Sequence, residues 1–188
     1  MGWQAVGLAL CVAASVGLAT GAASQPAGSP GAAGLSPEAA AALSTVERVC
    51  LPLIRGQTLK AVAATAGLKR DHDDWILPIA GRKRVVIDPP GDSNKTVCSA
   101  KLTYGVDGGA PIVDVMNRWA QAQTPPLQKV KDGEDSKGPL RLRKTTSWFG
   151  MVSGGSLGLV LSEEKDLQGR PAAGDYDEAT LLVSLTPG

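Results

Sequence analysis

The chain has 188 residues, a formal net charge of +1, and only one Phe and two Tyr. This length suits a single domain with a useful but modest core. The near-neutral charge argues against nucleic acid or an acidic surface as the main partner, and the scarcity of aromatics argues against a stacking platform for single strands.

Residues 1–23 carry no charged side chain, and residues 5–19 form an apolar run rich in Ala, Leu and Val. Thr20, Gly21, Ala22 and Ala23 follow, all small. This pattern predicts a secretory signal peptide over 1–23, cleaved after Ala22 or Ala23. The run is short for an uncleaved anchor. Cys11 follows the bulky Leu10, which does not suit a lipid-modified cysteine, so Cys11 is expected to leave with the leader. Residues 24–35 are Ala, Gly, Ser and Pro in the main and predict a flexible linker. Residues 36–188 then form one α+β domain, with no transmembrane span in the mature chain.

Ser36, Pro37 and Glu38 supply an N-cap, a first helical residue and a charge that complements the positive helix end. Leu43, Val46 and Cys50 continue as one apolar stripe, and Pro52 is expected to end or kink the element. A second helix is predicted over 58–66, with Gly67 as its C-terminal cap.

After Trp75 the period changes from helix to strand. Residues 75–79 and 84–87 are strand candidates around Gly81, and residues 88–92, Asp-Pro-Pro-Gly-Asp, are a turn. Over 97–104, Cys98, Ala100, Leu102 and Tyr104 face one way. Two cysteines remain in the mature chain, Cys50 and Cys98, and an even count in an exported chain predicts a structural disulfide binding the first helix to the sheet. The residues do not suit a redox or metal pair, because Cys-x-x-Cys is absent.

Ile112, Val115, Met116 and Trp119 give the clearest amphipathic helix, opened by Pro111 and stopped by Thr124-Pro125-Pro126. Residues 127–131 are a strand candidate, and 131–138 are expected to be a polar loop. Three alternating stretches follow, around Leu140 to Trp148, Leu157 to Leu161 and Leu181 to Leu185. Strands of this kind suit an antiparallel sheet with one buried face. The expected fold is α+β: an antiparallel sheet packed by about three helices and stapled by one disulfide.

Six stretches carry possible chemistry. Gly154-Gly155-Ser156-Leu157-Gly158 satisfies the G-x-S-x-G nucleophile pattern, which requires a strand before the serine and a helix after it. Here a strand pattern follows, so Gly154, Gly155 and Ser156 are expected at a hairpin tip, with Ser156 no nucleophile. Asp71, His72, Asp73 and Asp74 form a candidate polar site, set against a solvated loop before Trp75. Two basic clusters, Arg82-Lys83-Arg84 and Arg141-x-Arg143-Lys144, suit an anionic surface or solvated strand edges. Glu163, Glu164 and Asp166, and Asp175, Asp177 and Glu178, are expected in turns near Gly169, Pro171 and Gly174. No P-loop, dinucleotide fingerprint or HExxH motif is present.

These readings assign no catalytic residue, no cofactor and no metal. They favour an exported, periplasmic or secreted, non-catalytic binding module for a protein or envelope component. The alternatives are a periplasmic hydrolase using Ser156 or His72, and an inhibitor of an envelope enzyme using the 131–138 loop.

Overall fold

The structure is a computed structural model that describes residues 34–136, 141–171 and 174–188. The expected leader, and the expected linker up to residue 33, lie outside the described residues. Leu35, at the end of that linker, packs against the core.

One helical run opens the domain. The Ser36 hydroxyl accepts the Ala39 N–H at 3.2 Å and starts α1, Pro37–Ser44. The winding then widens to a π-helix over Thr45–Cys50 and returns to α in α2, Leu51–Ile54. Pro52 therefore does not end the helix. The wider turns just before it relieve the clash a proline ring makes with the carbonyl four residues back. Thr58 accepts the Ala61 N–H at 3.3 Å and caps α3, Leu59–Ala66; Gly67 closes it at φ 74°.

Among the described residues, eight strands follow in two meanders, separated by a helix. The first meander is β1 Lys69–Asp71, β2 Asp74–Pro78, β3 Arg84–Asp88 and β4 Val97–Gly105. The helix is α4, Gly109–Gln121, and the second meander is β5 Gln128–Ser136, β6 Arg141–Val152, β7 Gly155–Asp166 and β8 Tyr176–Pro187. All pairs are antiparallel, in the order β1-β2-β3-β4-β8-β7-β6-β5. Helix and antiparallel sheet are both present, but the sheet dominates, so the expected α+β class holds in outline.

The core lies on one face of this sheet. Cys98, Ala100, Leu102 and Tyr104 of β4 point into it with Leu157, Leu159 and Leu161 of β7 and Leu181 and Val183 of β8. The π-helical segment and α2 pack on β4, α2 also reaches β8, and α1 packs on α4. Ile112, Val115, Met116 and Trp119 form the buried stripe of α4, and buried Trp148 of β6 donates its indole N–H to Asn117 of α4 at 3.0 Å. Cys50 and Cys98 form the expected disulfide, with 5.3 Å between their Cα atoms.

The structure departs from the sequence reading in several places. Residues 131–136, expected as loop, belong to edge strand β5, with a register shift between Lys129 and Lys131. Residues 137–138 lie outside the described residues. β1 was not expected, and α4 starts at Gly109, two residues before Pro111. Trp148 does not close its strand; β6 runs on to Val152 and turns through Ser153 and Gly154. Glu163, Glu164 and Asp166 lie in β7, and Asp177 and Glu178 in β8, not in turns.

Candidate functional site

The sequence-derived candidates do not converge. Ser156 stands in β7, paired with Met151 and Thr186, and Gly155 opens that strand. Of the three residues expected at the tip, the turn itself holds only Gly154. All three glycines of the motif have local work. Gly154 turns at φ 94°, a Cβ on Gly155 would stand 2.0 Å from the Thr186 carbonyl oxygen, and one on Gly158 would stand 2.7 Å from Ser184 Oγ. Asp71 ends β1, Asp74 opens β2, and His72 and Asp73 form the turn between them. The His72 side chain is 94% exposed, with Nδ1 2.9 Å from Asp71 Oδ1. Five strand-to-strand steps, ~24 Å along a sheet, separate β1 from the strand of Ser156. Among the described residues, no three His, Cys, Asp or Glu side chains are grouped to hold a metal.

A different cluster is buried on the helix face. The alternation that buries Leu157, Leu159 and Leu161 continues to Glu163, which is 8% exposed. The alternation that buries Val183, Leu181 and Ala179 continues to Asp177, which is 1% exposed. Tyr104, fully buried at the end of β4, donates its hydroxyl to Glu163 Oε1 at 2.9 Å. Lys165 donates to Asp177 Oδ2, while Asp177 Oδ1 has no hydrogen-bond partner among the described residues.

The main chain makes room for the Glu163 carboxylate. A Cβ on Gly109, the first residue of α4, would stand 2.0 Å from Glu163 Oε1, so a larger residue there would push the carboxylate from this position. The amino end of a helix favours an adjacent negative charge, which offsets part of the cost of burying it. Burial, together with the charges of Glu163 and Asp177, pushes the Tyr104 phenol far above its ordinary range. Tyr104 therefore stays protonated and acts as a fixed donor.

Above this cluster, a cleft of about 500 Å³ opens between α4 and strands β5–β7. Asp107 and Asp114 stand on the α4 side, Glu134 and Lys144 on β5 and β6, and Glu163 and Lys165 on β7. Asp107 adopts a left-handed φ of 67° just before the helix, a conformation Asp tolerates better than most residues. With Lys165 paired to Asp177, the carboxylates of Asp107, Asp114, Glu134 and Glu163 face the single ammonium of Lys144 among the cleft's side chains. The cleft is anionic and in the size range of small-ligand sites.

Sequence reasoning missed this site because it assigned Glu163 and Asp177 to turns. The missing signal was strand parity: extending each apolar alternation by one step turns both acids inward. No protein-family model matches the chain, and no curated protein or solved structure matches it either.

Proposed function

We propose that the protein is an exported, disulfide-stapled binding module without turnover of its own. It captures a ligand or partner carrying a positively charged group in the cleft between α4 and β5–β7. The observation that carries this reading is the buried Glu163 carboxylate at the cleft wall, oriented by Tyr104 and by the start of α4. A fixed, protonated phenol and a preoriented acid suit recognition of an ammonium or guanidinium more than a proton relay. Export rests on the leader-like residues 1–23 and is supported by the disulfide. No helix among the described residues is long and apolar enough to cross a membrane.

Calorimetry with spermidine and with arginine methyl ester tests the reading. Binding is expected to weaken with salt, to weaken in Asp114→Asn/Glu134→Gln, and to tighten in Lys144→Ala. Equal affinity in all three proteins, or chemical conversion of the bound compound, would sink it.

A further inference from the structure

The opposite face of the sheet has a second cleft, of about 520 Å³, with the opposite charge. Strand pairing builds it. Lys69 of β1 stands beside Ile76 of β2, and Pro78 of β2 beside Arg84 of β3, all on the face away from the helices. Arg82 reaches the same cleft from the turn between β2 and β3. Lys69 and Arg84 lie two strands and two residues apart, ~12 Å between Cα atoms. Two extended cationic side chains can close that span around one ligand.

The cleft's lining holds four cationic side chains and one carboxylate. Lys83 also lines the cleft, but its ammonium is taken by Glu38. Glu178 lines it too, but its carboxylate is taken by Lys101 at 2.9 Å. The side chains of Lys69, Arg82 and Arg84 make no hydrogen bond or ion pair with any other described residue. Three positive charges thus face one hollow whose other wall, Ile76 and Pro78, is apolar.

We propose that this cleft is an oxyanion site for a phosphoryl group carrying two or more negative charges. One carboxylate would leave two of the three cations uncompensated, whereas a phosphomonoester or pyrophosphate comes closer to matching them. The two guanidinium forks can each grip a tetrahedral oxyanion at two oxygens. Ile76 and Pro78 then cover the part of the ligand that bears the phosphoryl group. The site shares no residue with the anionic cleft and does not depend on its occupant.

Calorimetry with inorganic pyrophosphate, acetate as the control, tests the proposal. Pyrophosphate is expected to bind, to weaken as sodium chloride is raised, and to weaken on the order of tenfold or more in Arg82→Ala/Arg84→Ala. Both arginines are exposed, and the Arg82→Lys/Arg84→Lys protein, which keeps the charge but loses the forks, is expected to fall between the two. Absence of pyrophosphate binding, equal binding by acetate, or equal affinity in wild type and the alanine variant would overturn it. Vesicles of phosphatidic acid in phosphatidylcholine identify the source of the group. Co-sedimentation that pyrophosphate displaces indicates a lipid headgroup; pyrophosphate binding without co-sedimentation indicates a soluble phosphate compound.

Discussion

At the scale of single residues, Gly155 and Glu38 make the sharpest claims. Gly155 combines φ 143° with a neighbouring strand so close that a methyl group would overlap the Thr186 carbonyl. Gly155→Ala is expected to cost about 2–4 kcal/mol in urea unfolding, from backbone strain and overpacking together. Gly154→Ala, strained but in open space, is expected to cost less. Equal losses at the two positions would mean that the strand contact carries no energy. Glu38 is held below its ordinary value of 4.5 mainly by the hydrogen bond from Lys83. Below pH 4.5 the unfolded chain takes up this proton more readily than the folded one. The contribution of the pair is therefore complete above that pH and is lost as the pH falls through the folded value. Glu38→Gln is expected to cost about 1–2 kcal/mol near neutrality and to flatten the acid side of the stability profile. Parallel profiles for the two proteins would refute this.

At the scale of elements, the disulfide joins the end of the π-helical segment to β4 across 48 positions of sequence. Constraining the unfolded chain over a loop of that length is worth ~4 kcal/mol in the chain-entropy model. Cys50→Ala/Cys98→Ala is expected to lose stability of that order in denaturant melts, and an unchanged midpoint would show that the bond does not constrain the chain. The elements also divide by how legible they are. The stripe of α4 and the alternation in β4, β7 and β8 could be read because one face of each is apolar. β1, Lys69–Asp71, is exposed at every residue and carries no such contrast. β5, with the sequence QKVKDGEDS, is an edge strand rich in charge, so composition suggests a loop where pairing with β6 makes a strand. The buried acids were hidden for a related reason: their charge masked the parity their strands impose.

At the scale of the whole molecule, the staple and the one-sided sheet were legible in sequence, but the strand order was not. Local alternation says which residues face inward, and it does not say which strand lies beside which. The two clefts depend on that order, because each draws side chains from strands far apart along the chain. Lys69 meets Arg84 only through β2, and Glu163 meets Tyr104 only through β8. The same order sets a timetable for folding. β8 lies between β4 and β7, so the first meander cannot join the second until residues 176–187 have been made. Until then β4 offers an unpaired edge and the apolar row Cys98, Ala100, Leu102 and Tyr104, in a chain whose closing contacts are among its longest in range. Cys50 and Cys98 both precede that gap. The bond can form while the sheet is still open, holding the first helix over β4 before its partner strand arrives.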